Sequence, residues 1–342
     1  MKSKSAHPYW ILALLLAAAV VLSLLVGGVF LSPARLWDGL RSRLGGLDLG
    51  AGARTAAAIL LDLRLPRTLL VALTGAALSG SGAAYQGLFR NPLADPYLIG
   101  VASGAGLGAV AAMSIKWPYT TLGLLAVPLA AFASGLLTIF IVYQLARVGK
   151  AVPVTNLVLA GVAISSLATA LTSFLMLSGG AELRRSLVWM LGGAMMSGWQ
   201  PVLALLPYAG LGLTALILTG HALNVLQVGE EQARQLGLPV ERTRRIILAA
   251  ASLTTAAAVA FTGIIGFVGL IIPHIIRLVW GGDYRRLLPQ AMLGGAALLL
   301  AADVAARVIL APQEVPLGII TALLGAPFFL WVLRRSRQQN LW

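Results

Sequence analysis

Ionisable side chains are where chemistry would begin, and this chain carries few of them: 11 Asp and Glu, 3 His and no Cys among 342 residues. Without cysteine, disulfide and thiolate chemistry are closed to it. Asp303 is the one acid well inside an apolar run, and Arg307 lies one helical turn later. An internal ion pair therefore competes with any proton-relay role for that acid. A hydrolase built on Ser79 or Ser81 with His274 would lack a nucleophile-elbow context, and the histidines have no metal-ligand spacing. His274, beside Pro273, reads as a structural hydrogen-bonding residue, with contact to cargo as the alternative. No nucleotide-binding loop is present, because Gly149-Lys150 lacks the earlier glycine of G-x-x-x-x-G-K-[ST] and is followed by Ala151. Residues 103–108 are Gly-rich but lie within an apolar run with no strand before them, which points to helix packing.

Charged groups gather most tellingly in residues 229–245, GEEQARQLGLPVERTRR. Glu230 and Glu231 precede Ala233, Arg234 and Leu236 in a short expected helix with acid at its N-terminal end, where the helix dipole favours it. Gly237 and Pro239, flanking Leu238, stop that helix. A second short turn is expected to carry Glu241, Arg242, Arg244 and Arg245. On charge alone this is either an ordinary connection between spans or a helix-break-helix that a soluble partner can grip.

The elements around these residues are apolar. Hydrophobic residues make up 59% of the chain and charged residues 11%, with a mean hydropathy of +0.90. A bilayer core about 30 Å thick needs roughly 20 apolar residues per helix. Ten spans are expected, near residues 10–31, 66–87, 97–115, 119–145, 153–177, 201–223, 245–263, 266–281, 288–308 and 317–333. The seventh and eighth share a charge-free stretch too short for two full crossings, so Gly263, Gly266 and Gly269 would have to turn the chain, leaving a short or kinked eighth span. Pro128, Pro273 and Pro327 fall inside expected spans. Small residues recur at four-residue spacing, as in Gly75/Ser79/Ala83 and Gly100/Gly104/Gly108, which lets helices approach closely.

The net charge of +14 is scattered between apolar runs, whereas a nucleic-acid site would gather it on one soluble face. With ten spans both termini share a side, and that side holds Lys2, Lys4, Arg90, Arg147, Lys150, Arg234 and Arg334. By the positive-inside bias both ends are cytoplasmic. The first apolar run is too long for a secretory signal and lacks a small-residue cleavage site, so a retained helix is expected. Residues 31–63 form an outer-side segment partly on the membrane surface. Glu182, Arg184, Arg185, Trp189 and Met190 form another outer segment, either a surface helix or an entrance lining. No polar interruption is large enough for a soluble domain, so residues 1–342 read as one all-α, polytopic membrane domain.

The stretches RLPRTLLVALTGAALSGSG, FRNPLADPYLIGVASGAGLG, GEEQARQLGLP, GIIGFVGLIIPHIIRL, LLPQAMLGGAALLLAADVAAR and EVPLGIITALLGAPFFLWVL resemble the FecCD-type permeases. These are membrane subunits of type II ABC importers for iron-siderophore complexes, haem and cobalamin. The resemblance implies ten spans per subunit, with spans two to five and seven to ten as inverted repeats. Self-similarity within this sequence is itself faint, so the repeats rest on the resemblance. It further implies a homodimer in a bacterial inner membrane, two copies of a cytoplasmic ABC ATPase, and an extracytoplasmic substrate-binding protein. ATP and Mg would be bound by the ATPase, with no cofactor in this chain.

Residue by residue, the resemblance makes Gly229, Glu230, Glu231, Ala233, Arg234, Leu236, Gly237, Leu238 and Pro239 the ATPase-coupling element. It makes Arg64, Arg67 and Arg307 outer residues that pair with glutamates of the binding protein, for which a guanidinium is well suited. Interfacial snorkelling or, for Arg307, the pair with Asp303 is the competing explanation. Asn91, Leu93, Val154 and Thr155 match the cytoplasmic gate, although Val154 is plainer than the polar residue often found there. An iron chelate, siderophore or haem, is the expected cargo, with cobalamin as the alternative. An ion-coupled secondary carrier would need intramembrane acids or histidines that the chain scarcely has.

Overall fold

The computed structural model describes residues 7–27, 32–45, 50–118, 120–149, 152–178, 182–194 and 196–339. Lys2, Lys4, Leu31 and Lys150 lie outside the described residues. Apolar runs become helices because only internal hydrogen bonding satisfies the backbone in hydrocarbon. In chain order the helices are α1 (His7–Leu25), α2 (Pro33–Gly45), α3 (Ala51–Ala58), α4 (Leu65–Phe89), α5 (Val101–Met113) and α6 (Thr121–Ala146). Then follow α7 (Val154–Ser178), α8 (Leu183–Met190), α9 (Gln200–Leu218), α10 (Gly220–Leu226) and α11 (Glu230–Gln235). The last four are α12 (Val240–Thr262), α13 (Val268–Trp280), α14 (Tyr284–Val308) and α15 (Leu317–Gln339).

The ten expected spans fall on α1, α4, α5, α6, α7, α9 with α10, α12, α13, α14 and α15. By length and composition α1, α6, α7, α9, α12 and α14 can each cross a membrane, while α5, α13 and residues 317–332 of α15 are shorter apolar helices. On α7, Leu159, Phe174 and Leu177 stand exposed, a surface suited to hydrocarbon rather than water. α4 differs from the rest. Its many Gly, Ser and Thr residues dilute its hydropathy, yet 18 of its 25 residues are buried. It packs against α9, α12, α13 and α14, so small side chains, not lipid-facing ones, define it. Gly75 of α4 and Gly295 of α14 meet backbone to backbone, and a Cβ on either would strike the other's carbonyl. Along α5, Gly104 and Gly108 lie similarly close to Thr138 and Ala130 of α6.

Several expected boundaries shift. The first helix stops at Leu25 rather than residue 31, ahead of the Gly27-Gly28 pair. The sixth span is divided at Thr219, whose hydroxyl donates to the Leu216 carbonyl at 2.7 Å. The separate second turn expected after Pro239 does not exist. Glu241, Arg242, Arg244 and Arg245 are instead the first turns of α12, because nothing after Pro239 interrupts the helix before Gly263. Residues 31–63 contain α2 and α3, and a π-helical turn (Ile59–Arg64) leads directly into α4.

The turn between the seventh and eighth spans lies at residues 263–267, and α13 has only 13 residues, about 20 Å of helix. Gly263 holds φ +65° and packs so closely on the Trp189 carbonyl that a Cβ would collide with it. The irregular backbone does not go unpartnered. Tyr97 donates its hydroxyl hydrogen to the Ile265 carbonyl at 2.9 Å and accepts the Ile265 N–H at 3.2 Å. Gly193 N–H donates to the Thr262 carbonyl at 2.7 Å. Non-helical chain inside a membrane bundle is tolerated only with such replacements.

Candidate functional sites at the two ends of the bundle

α4 and α14 run antiparallel: Tyr284 packs by Gly87 at one end, while Arg67 meets Asp303 at the other. One end carries Glu230 and the other Arg64.

At the Glu230 end, Gly229 takes φ +118° at the start of α11, a conformation glycine adopts readily. At its far end Leu238 N–H donates to the Ala233 carbonyl at 3.0 Å and Gly237 N–H to the Arg234 carbonyl at 2.9 Å, with Gly237 at φ +83°. This paired closure is a Schellman motif. Ala233 is fully buried beneath the helix, and Leu238 packs against the same core. Glu231 points outward, as does Leu236, which is 70% exposed. The short helix is thus fixed at both ends and along its inner face, with an acid and a large apolar side chain on display.

A charge network ties α11 to α12. Arg234 lies 3.2 Å from Glu241 and 4.0 Å from Glu230. Arg244, whose side chain is only 6% exposed, bonds Glu230 and lies 3.4 Å from Glu241. Its Nη1 also donates to the Val152 carbonyl at 2.8 Å. Val152 stands just before Val154 and Thr155, the first residues of α7. Nothing local in the sequence announced this contact across 92 positions, although the i,i+3 spacing of Glu241 and Arg244 was visible.

A cleft of about 300 Å³ lies between these parts, lined by Phe89, Arg90, Pro153, Val154 and the four charged residues. Thr155 is exposed. Arg90, at φ 50°, closes α4, and Asn91 then accepts the Leu93 N–H at 2.9 Å through its side chain. Leu93 lines a separate small apolar cavity with Phe267, His274 and Phe328. Of the expected gate residues, Val154 therefore sits beside the coupling segment, and Leu93 beside the 263–267 turn. Among the described residues, the contact found for His274 is an edge-on ring contact with Phe328, centroids 6.1 Å apart, in place of the expected hydrogen bond. Pro273 removes a donor from the helix, but the imidazole does not fill the gap.

Nearby, Asn224 of α10 donates to Asp283 at 2.6 Å and accepts the Tyr284 N–H at 2.8 Å. Asp283, at the start of α14, is held down at about 2, chiefly by its hydrogen bond from Arg285 and further by Asn224.

At the other end Arg64 and Arg307 turn inward. Arg64, 8% exposed, donates to the Leu24 and Leu25 carbonyls at 2.6 and 2.8 Å, covering the C-terminal end of α1. Arg307, 5% exposed, donates to the Ser23 and Val26 carbonyls and to the Ser23 hydroxyl. It also lies 2.9 Å from Asp303. Arg67 bonds Asp303 through Nε and Nη2 at 3.2 and 2.9 Å, and reaches both oxygens of Glu314 at 2.9 Å through Nη1. The internal pair for Asp303 is therefore real and doubled. Glu314, which the sequence did not single out, joins it from the segment before α15.

Glu182, Arg184 and Arg185 edge a cleft of about 740 Å³ that also touches Met113, Trp189 and Phe261. Trp189, near the end of α8, is buried. Among the described residues no group of three His, Asp or Glu is placed to hold a metal.

The described residues form a polytopic helical bundle that fixes a short charged helix between two of its apolar helices. Residues 15–335 match the FecCD transport family, and the chain belongs to it. It is 49% identical over 280 residues to a cobalamin import system permease of Halobacterium salinarum, covering 82% of this chain and 74% of that one. It is 43% identical to the hemin transport system permease of Yersinia pestis, over 82% of this chain and 85% of that one. A vitamin B12 import system permease of Escherichia coli is 40% identical over 96% of both chains. Among solved structures, an inward-facing metal-chelate type ABC transporter superposes with a TM-score of 0.81 at 30% identity, covering 96% of this chain and 98% of that one. The chain is therefore the membrane-spanning permease subunit of an ABC importer.

Proposed function

We propose that two copies of this chain form the pathway through which a bulky metal chelate enters the cell, driven by a separate pair of ABC ATPases and supplied by a substrate-binding protein. The reading rests most on α11: a six-residue helix locked in place while displaying Glu231 and Leu236 is suited to lie in a cleft of the ATPase. Residues 229–239 then form the coupling element and face the cytosol, with both chain termini on that side of a bacterial inner membrane. ATP and Mg belong to the ATPase, and this chain hydrolyses nothing by itself.

The opposite end then receives the binding protein, with Arg67 offering the accessible cationic edge and the inward-turned Arg64 and Arg307 holding the end of α1 behind it. Attraction of this kind weakens as salt is raised. Asn91, Leu93, Val154 and Thr155 close the pathway on the cytosolic side. The cargo is a metal chelate of the size of haem, cobalamin or a ferric siderophore. The relatives named for cobalamin and hemin support the metal tetrapyrroles.

Reconstitution in liposomes with the ATPase and binding protein tests this directly. Uptake of haem, cobalamin or a ferric siderophore should depend on ATP and on the binding protein. Uptake that persists with the ATPase left out, or ATP hydrolysis by the purified chain alone, would overturn the reading.

A further inference from the structure

We propose that Arg244 is the positioning residue that carries the displacement of α11 to the gate at the start of α7, a role that rests on the importer reading above. Three separate stretches of chain converge on its guanidinium: Glu230 of α11, Glu241 of its own helix, and the Val152 carbonyl two residues before Val154. The guanidinium is nearly sealed from solvent while Glu230 and Glu241 stay partly exposed, so the three bonds fix the geometry of the buried group more than they add stability. A planar fork with several donors can hold three acceptors at once, which a lysine ammonium does less well.

The cleft beside it sharpens the point. Its volume of about 300 Å³ separates α11 from Pro153 and Val154, so the two segments are not packed flush there. Arg244 reaches along this cleft, bonding Glu230 on one side and the Val152 carbonyl on the other. The other cation of the network, Arg234, is 56% exposed and stays within α11 and Glu241. It steadies the short helix, whereas Arg244 alone of the two reaches the α7 side. A shift of Glu230 therefore pulls on Val152 through one side chain.

The test uses the full importer in liposomes, with Arg244→Ala, Arg244→Lys and the wild type compared. In Arg244→Ala the cargo moved per ATP hydrolysed should fall about tenfold while hydrolysis continues, and Arg244→Lys should restore part of it. Because the chain has no cysteine, spin labels can be placed at Gln232→Cys and Thr155→Cys alone. Their separation should stay constant on nucleotide binding in the wild type and change in Arg244→Ala.

Transport and hydrolysis falling in parallel would overturn the proposal, as would label distances that respond alike in both proteins. Should Arg244→Ala fail to assemble, Arg244→Lys decides: a wild-type ratio of cargo to ATP with unchanged label distances overturns the role. A wild-type importer that moves cargo without hydrolysis would instead sink the importer reading, and this role with it.

Discussion

The two ends of the bundle both carry networks of acids and arginines, and they are built in opposite ways. At the Arg64 end the acid is the buried partner: Asp303 is 1% exposed and is shared by Arg67 and Arg307, while Arg64 and Arg307 clasp the end of α1. Three spans, α1, α4 and α14, are locked there. At the Glu230 end the acids are partly exposed and only Arg244 is sealed, and the elements joined are a short surface helix, the start of α12 and the chain before α7. Buried charge fixes the spans relative to one another at one end. At the other, half-wet charge joins parts that shift together under the proposed coupling role.

Removing the shared acid should break this contrast most severely. Asp303→Asn leaves two guanidiniums facing each other in low dielectric, which costs about 3–5 kcal/mol. Thermal unfolding in detergent should show a large drop, and an unchanged midpoint would mean that this end is no clamp. Gly237→Ala should cost about 1–2 kcal/mol, because the residue must keep a left-handed conformation that a Cβ disfavours. Hydrogen exchange should speed up in residues 230–238 while the α4 core stays protected. Glu241→Gln should cost under about 1 kcal/mol, as expected for a partly exposed pair. A stability loss matching that of Asp303→Asn would erase the difference between the ends.

The smallest effect concerns Asp283, also at the Glu230 end. Its folded carboxyl titrates near 2, below the ordinary value of 3.8. The stability it contributes is therefore complete above that ordinary value and is lost as pH falls through about 2. Asp283→Asn should abolish that acid-side slope in a pH titration of unfolding, and at neutral pH, where the contribution is complete, it should lower stability by an amount that solvent screening keeps small.

The spans were legible because apolar runs and charged breaks impose them, and the stop at Gly237 was legible because a left-handed helix end favours glycine. The Gly75/Ser79/Ala83 stripe likewise marked a close helix contact before its partner, Gly295, was known. Boundaries failed where tertiary contacts decide them. Tyr97 stabilises the break at residues 263–267 from 168 positions away, and no local pattern could show it. The arginines were found by resemblance, yet their partners Ser23, Val26 and Glu314 come from distant segments. Sequence periodicity reports which face a helix buries. It is silent about which carbonyl a long side chain will reach.

A free peptide of six residues does not hold a helix in water, since nucleation alone outweighs so few hydrogen bonds. In α11 the glycine-closed terminus and the buried Ala233 remove that softness. A compliant segment would fray under load and dissipate each stroke of the motor as local melting. On the proposed coupling role, stiffness in so small a part would let force pass through it undiminished, and Gly237 would be a determinant of mechanical efficiency without touching nucleotide or cargo.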